Sequence, residues 1–169
     1  MIRHKVCMLG AFAVGKTSLV RRFVNSIFDD RYQTTIGVQI EKRTVEYPEN
    51  PVDLMIWDIA GDDEFFQVPR SFIGGAVGYL LVVDATRRSS GEIAGDLDAR
   101  AREELGDVPS LLLINKCDLT DEVDLPGDWS LVGYDSSSVL RTSALTGEGV
   151  AGAFDELTRR IEFGFGRTR

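Results

Sequence analysis

Histidine and cysteine are scarce in this sequence, and that scarcity argues against several kinds of site. The 169 residues include one histidine, His4, and two cysteines, Cys7 and Cys117. A disulfide framework and a Cys/His zinc site both need more of these residues, and a Ser-His-Asp triad would depend on a histidine near the N-terminus. No apolar run approaches the roughly 18 residues that a membrane-spanning helix needs.

Positive charge is also in short supply. The chain has 19 Lys and Arg against 27 Asp and Glu, a net charge of −8, which argues against a nucleic-acid protein held by a general basic surface. Residues 92–128 alone contain eleven acidic and three basic residues. This window could be a solvated helix face with a loop, or a docking surface for a basic partner, and the solvated face is favoured.

Apolar runs alternate with segments of helical spacing along the chain. They predict strands at 5–10, 38–47, 52–58, 78–84, 110–115 and 139–142, and helices at 16–25, 92–105 and 148–163. The turn signal at 48–51 makes the second and third strands an antiparallel pair. We expect one α/β domain, 1–169, with a mostly parallel six-stranded sheet, one antiparallel edge strand and helices on both faces.

Polar residues stand at or just beyond the predicted strand ends. They are Gly10, Asp58, Asp84, Asn115 and Ser143. Parallel sheets bind ligands at the carboxyl ends of their strands, so these residues should share one rim of the sheet.

The segment 120–138 is the least decided part of the chain. A helix is expected before the last strand, but Pro126, Gly127 and many Asp and Ser propagate helix poorly. A short helix around Trp129 and a loop both remain open.

Residues 10–17 read GAFAVGKT and fit the phosphate-loop pattern G-x-x-x-x-G-K-[ST] in full. The segment follows a predicted strand and opens a predicted helix, so its backbone N–H groups and the helix N-terminus can receive phosphates. Gly15 permits close approach, Lys16 neutralises the outer phosphates, and the Thr17 hydroxyl suits Mg²⁺. The pattern does not name the nucleotide, because kinases, ATPases and GTPases all use it.

A second pattern, NKCD at 115–118, follows a buried strand and suits guanine. The Asp118 carboxylate only accepts, and guanine offers two adjacent donors where adenine has a ring acceptor. The Lys116 stem can lie over the base, whereas Asn115 is better placed to tie loops together. After the last strand, a backbone N–H of Ser143-Ala144-Leu145 could meet the guanine O6 acceptor.

Together these patterns make the chain resemble a small GTPase of the Ras superfamily, a P-loop G domain, over nearly its whole length. Residues 57–61, WDIAG, resemble that family's W-D-T-A-G, and Phe28 and Tyr32 match its positions around the nucleotide. Residues 34–38, 43–45, 70–76 and 84–86 are most similar to the Rab branch. Residues 13–17 and 143–145 are similar to Rho proteins.

The resemblance implies a set of roles. Mg²⁺ would be held by Thr17 and Thr35 directly and by Asp58 through water, and GTP or GDP would be the ligand. The implied nucleotide-binding residues are Ala13, Val14, Gly15, Lys16, Thr17, Ser18, Phe28, Tyr32, Thr35, Gly61, Asn115, Lys116, Asp118, Ser143, Ala144 and Leu145. The implied catalytic residues are Asp62, Lys16, Thr35 and Gly61. Effectors and regulators would read two switch surfaces, 29–47 and 58–72, whose order depends on the γ-phosphate.

The chain departs from the family pattern at two catalytic positions. Asp62 stands where the family usually has the Gln that orients the attacking water, and Phe12 stands where a small residue is usual. A carboxylate cannot donate to the phosphate, and acids at 62–64 would repel it unless Mg²⁺ or an incoming arginine compensates. We therefore predict slow intrinsic GTP hydrolysis.

Two other functions stay open at this point. The same departures fit a GTP-holding interaction module with negligible turnover, controlled by exchange or by partners. A P-loop kinase for a small molecule is disfavoured, because the chain has the guanine pattern and no Arg-rich lid.

The chain shows no lipidation site: residues 163–169 lack cysteine and position 2 is Ile2. Either the protein is soluble or a longer native tail was removed; we expect a cytoplasmic protein with no nucleic-acid partner and no lipid anchor visible in this chain, and its composition is compatible with a prokaryotic origin.

Overall fold

The computed structural model describes residues 2–26, 35–47, 50–63, 67–119 and 133–164. Its strands and helices are β1 Ile2–Gly10, α1 Lys16–Asn25, β2 Val38–Val45, β3 Val52–Ile59, α2 Arg70–Ile73, β4 Gly78–Asp84, α3 Ser89–Leu105, β5 Ser110–Asn115, β6 Val139–Arg141 and α4 Val150–Phe163. The six strands and the three helices predicted from the apolar spacing are present, and α2 is an addition. None of the described helices is long and apolar enough to cross a membrane.

The six strands form one sheet in the order β2-β3-β1-β4-β5-β6. The β2–β3 pair is antiparallel, and the other neighbouring strands are parallel. This confirms the predicted fold class. The expected helix or loop around Trp129 lies in 120–132, outside the described residues. A short 3-10 turn, Ser136–Ser138, leads into β6.

Helices cover both faces of the sheet, and β4 shows why. All seven residues of β4 are buried, and successive side chains point to opposite faces. Leu80 and Val82 pack into the core beneath α1 and α4, while Tyr79, Leu81 and Val83 pack into the core beneath α3. The continuous apolar run is therefore a strand with no solvent-facing side.

Part of the acidic 92–128 window faces inward. Asp98 of α3 is 5% exposed. Its Oδ1 accepts hydrogen bonds from the hydroxyls of Tyr79 at 2.7 Å and Tyr134 at 2.8 Å, and its Oδ2 pairs with Arg102. Neither of the surface interpretations offered for the window applies to this carboxylate, which holds α3 against the sheet.

Candidate functional site

The phosphate loop connects the end of β1 to the first turn of α1, which contains Lys16, Thr17 and Ser18. The loop has a positive φ of 62° at Ala13 and 99° at Gly15. A Cβ on Gly15 would lie 2.4 Å from Nδ2 of Asn115, so only glycine fits there. Left-handed dihedrals of this kind turn successive N–H groups into one concavity, which suits an anion.

Lys16 lies folded over this loop. It is 6% exposed, and its Nζ donates to the carbonyl oxygens of Gly10 and Ala11, each at 3.1 Å. Burial lowers the pKa of Lys16 to about 8, although the Asp58 charge acts in the opposite direction. Phosphate oxygens could replace those carbonyls and restore the preference of Lys16 for its charged form.

The three expected magnesium ligands converge below the loop. Oγ1 of Thr17 lies 2.6 Å from Oγ1 of Thr35 and donates to Oδ2 of Asp58 at 2.6 Å. Oδ1 of Asp58 is buried and has no hydrogen-bond partner, and burial raises the pKa of this carboxyl. Hard oxygen donors and an unpaired buried oxygen fit Mg²⁺. The described residues contain no group of three His, Cys, Asp or Glu that could hold a metal, so this donor set depends on its hydroxyls.

The segment after β3 packs directly on the phosphate loop. A Cβ on Gly61 would lie 2.5 Å from both N and Cα of Phe12. The Phe12 N–H donates to the Asp62 carbonyl at 3.0 Å, and the Asp62 N–H donates to the Gly10 carbonyl at 3.2 Å. The Gly61 backbone therefore lies where it could meet the end of a nucleotide phosphate chain.

The Asp62 side chain is engaged with α3. Its Oδ1 accepts the Val68 N–H at 2.8 Å, and its Oδ2 forms an ion pair with Arg100. Nη1 of Arg100 also reaches the Val68 carbonyl, at 3.5 Å. Both carboxylate oxygens are occupied, so this side chain ties the segment after Gly61 to α3.

Phe12 borders a cavity of about 420 Å³ on the outer side of the phosphate loop. Its side chain is 37% exposed, and its carbonyl accepts a hydrogen bond from Arg87. The cavity is lined by Ala11, Phe12, Asp62, Asp63, Arg87, Ser89 and Ile93. The two departures from the family pattern therefore share one cavity with an arginine.

At the opposite end, the NKCD segment is tied to the phosphate loop. Nδ2 of Asn115 donates to the Val14 carbonyl at 2.9 Å, as expected of a residue that ties loops together. Nζ of Lys116 donates to the Ala13 carbonyl at 2.9 Å and pairs with Asp84 at 2.7 Å. Burial alone would raise the pKa of Asp84, but the hydrogen bond from Lys116 helps to hold it below its ordinary value.

The last motif closes this end. Oγ of Ser143 donates to Oδ1 of Asp118 at 2.7 Å and accepts the Thr146 N–H at 3.1 Å. Ala144 is 5% exposed and Leu145 is 49% exposed. The carboxylate suited to two guanine donors and the loop suited to O6 are thus joined by one hydroxyl.

Some expected residues cannot be placed. Phe28 and Tyr32 lie outside the described residues. Asp84 lies at the rim of the sheet, as its place at a strand end predicted, whereas three arginines of the site were not expected from the sequence: Arg22, Arg87 and Arg100. Their partners are distant in the chain, 122 positions away for Arg22 and Ala144, so no local pattern signals them.

Comparisons with known proteins identify the family. A sequence model of the Ras family matches residues 5–163. The chain belongs to the Ras family, and it is a small GTPase of the GTP-binding switch type. It is 34% identical to the Ras-related protein Rab-32C of Dictyostelium discoideum over 95% of this chain and 74% of that relative. It is 36% identical to Rab-4 of the same organism over 93% of this chain and 78% of that relative. These matches confirm the expected similarity to the Rab branch.

A further match is partial. The chain is 36% identical to Rab-32A of Dictyostelium discoideum over 69% of its own length. That match spans 56% of Rab-32A, little more than half of the relative.

Proposed function

We propose that this small GTPase binds GTP and GDP with Mg²⁺, hydrolyses GTP slowly, and presents a nucleotide-dependent surface to protein partners. The observation that carries the slow rate is the Asp62 carboxylate. It accepts from the Val68 N–H and pairs with Arg100, so each of its oxygens already has a partner that competes with a water.

The binding residues have distinct tasks in this proposal. The loop N–H groups and Lys16 would hold the phosphates. Thr17, Thr35 and Asp58 would hold Mg²⁺, which when bound neutralises charge between the outer phosphates. The Gly61 and Thr35 N–H groups would grip the γ-phosphate, and the loss of that phosphate would release both switch surfaces.

Two features of the chain support slow hydrolysis. A water must be oriented in line with the γ-phosphate, and the family's Gln does this by both accepting and donating. Asp62 is engaged with α3 and, as a carboxylate, only accepts. Phe12, whose backbone packs on Gly61, adds a large, partly exposed ring that would hinder an arginine supplied by a partner.

The switch surfaces contain both anchors and exposed apolar residues. Val68 is 4% exposed, Ile73, the residue just after the second surface, is 1% exposed, and both belong to the core beneath α3. Ile36 and Ile40 are 88% and 49% exposed. We assign the buried pair to anchoring and the exposed pair to effectors and regulators.

The cytoplasmic location and the single domain over 1–169 stay predictions.

Single-turnover GTP hydrolysis with Mg²⁺ tests the proposed rate, using the wild type, Asp62→Gln and Asp62→Asn. The wild type should turn over below about 10⁻⁴ s⁻¹, and Asp62→Gln should be faster because it restores a donor and an acceptor. Asp62→Asn is the matched control, since it removes the charge but has a shorter reach. A wild type at or above that rate, unchanged by Gln, would show that other residues position the water.

The second candidate is a GTP-holding module whose state is set by exchange or partners. The same engagement of Asp62 with Arg100 favours it. The nucleotide released from freshly purified protein separates the two candidates. Mostly GTP would favour the module, and mostly GDP would favour the hydrolase.

A further inference from the structure

Arg22 of α1 reaches across to the loop that follows β6. Its Nε donates to the Ala144 carbonyl at 2.9 Å, and its Nη2 donates to the Leu145 carbonyl. Its Nη1 lies 3.5 Å from the Ser26 carbonyl just beyond the C-terminus of α1. One planar guanidinium thus joins the end of α1 to two successive peptides of the Ser143-Ala144-Leu145 motif.

The loop is shaped around this guanidinium. The Gly147 N–H closes a turn onto the Ser143 carbonyl at 2.8 Å. A Cβ on Gly147 would lie 3.5 Å from Nε of Arg22 and 3.7 Å from its Cζ, so this turn packs on the flat group. The Ser143 hydroxyl donates a hydrogen bond to Asp118, which connects this loop to the NKCD segment.

The direction of these hydrogen bonds fixes the direction of the loop N–H groups. The described chain has no cis peptide, and in a trans peptide the carbonyl and the following N–H point to opposite sides. With the Ala144 carbonyl held on Arg22, the Leu145 N–H faces away from Arg22. An N–H held in advance binds an acceptor without the cost of ordering the loop.

We propose that Arg22 is a positioning residue that presents the 144–145 backbone to O6 of the guanine base, and thereby sets both base discrimination and nucleotide residence time. This inference rests on the proposed binding of guanine nucleotides at this site. Arg22 itself does not touch the nucleotide; it acts through the carbonyls of Ala144 and Leu145.

Arg43 of β2 provides a matched control, because it contacts the same helix. Its Nη1 donates to the carbonyls of Phe23 and Val24 at 2.9 and 3.0 Å, so it ties the end of α1 to β2. Arg43→Ala therefore loosens the same end of α1 without removing a bond to the base loop. Arg22→Lys is the second variant, because a lysine keeps the charge but cannot give two donors from one plane.

The test measures affinity and dissociation for GDP, inosine diphosphate and ADP, each with Mg²⁺, on the full chain. Inosine diphosphate keeps O6 and lacks the 2-amino group, so the ratio of its affinity to that of GDP reports the contact with Asp118. Adenosine replaces O6 with a donor, so the inosine/ADP ratio includes the O6 contact. Arg22→Ala should release GDP about tenfold faster. It should also reduce the preference in affinity for inosine diphosphate over ADP by about threefold or more. The ratio of the affinities for GDP and inosine diphosphate should stay within about twofold of its wild-type value.

Arg22→Lys should fall between the wild type and Arg22→Ala, and Arg43→Ala should match the wild type. Equal weakening of all three nucleotides, or the same change in Arg43→Ala, would show a merely structural arginine and overturn the inference. Circular dichroism checks folding, and if Arg22→Ala is unfolded the Arg22→Lys comparison decides. A wild type that binds no GDP would overturn the proposed function as well, whereas a wild type that binds GDP with unchanged variants overturns the inference alone.

Discussion

The two ends of the nucleotide site are built differently. At the base end, Asn115 and Lys116 donate to carbonyls of the phosphate loop, and Ser143 donates to Asp118. At the γ-phosphate end, Asp62 is paired with Arg100 of α3, and Lys16 rests on loop carbonyls. The first set of bonds can persist when a nucleotide is present. In the second set, the bonds from Lys16 to the loop carbonyls must be replaced by bonds to the phosphates.

This difference suits a switch. A base end that is already ordered binds GDP and GTP alike, because both nucleotides share the guanine. A γ-phosphate end whose side chains have alternative partners can report whether the last phosphate is there. The predictions that follow separate the two ends, from the largest expected effect to the smallest.

Lys16→Ala should remove the charged part of phosphate binding and weaken the affinity for both nucleotides by about 100-fold or more, since charge-assisted bonds to several oxygens are lost. Equilibrium binding of GDP and GTP with Mg²⁺ measures this. Lys42→Ala is the control, because Lys42 pairs with Asp53 on β3 and should leave affinity unchanged. Similar losses in both variants would contradict the placement of the phosphates at Lys16.

Asn115→Ala should weaken GDP and GTP equally, by about 30-fold, because it removes the bond to Val14 and the bond that Asn115 accepts from Thr142 at 3.1 Å. The ratio of the two affinities is the readout that matters. A loss confined to GTP would mean that the base end also senses the γ-phosphate, and the comparison of the two ends would fail.

Arg100→Ala should weaken GTP about tenfold relative to GDP at low salt. It frees the Asp62 carboxylate, whose backbone is already tied to the phosphate loop, and that charge would then repel the γ-phosphate. The double variant Asp62→Asn with Arg100→Ala should restore the GTP/GDP ratio, because the freed side chain no longer has a charge. Arg70→Ala, which breaks the exposed pair between Arg70 and Glu103, is the control. An unrestored ratio in the double variant would mean that Arg100 acts by some route other than Asp62.

Nucleotide affinity should fall about fourfold between pH 7 and pH 8.5. The lowered pKa of Lys16 means that the charged form is present below about 8 and is lost as the pH rises through that value. The nucleotide affinity of Lys16→Arg should depend much less on pH, because a guanidinium stays charged between pH 7 and pH 8.5. A wild-type affinity that is flat to pH 8.5 would show that Lys16 does not titrate there.

The fold could be predicted from the sequence to within a few residues at most ends. The run at 78–84 and the run at 110–115 were placed without error, because strands buried on both faces leave an unbroken apolar pattern. Helix α2 was missed. It spans four residues, Arg70–Ile73, too few for a helical period to repeat.

In the site as well, short local motifs were predictable and pairings between distant residues were not. The phosphate and base motifs could be recognised because each is a short run whose spacing is set by the ligand, whereas Thr35 and Asp58 were assigned to Mg²⁺ only through the family resemblance. Asp62 was also expected to matter, but as a charge beside the γ-phosphate, and the structure shows its carboxylate bound to Arg100. Spacing along a chain cannot reveal such a pairing, because it joins residues on separate elements.

The sequence by itself determined that this chain has an α/β sheet with a phosphate-loop pattern and a pattern suited to guanine. Local patterns are sufficient for these features, since backbone geometry and side-chain chemistry act over a few residues. Only the tertiary structure decided where the arginines go: Arg22 onto the base loop, Arg87 onto Phe12 and Arg100 onto Asp62. A long flexible cation can pair with any acceptor within its reach, and packing of the helices on the sheet determines which acceptor that is.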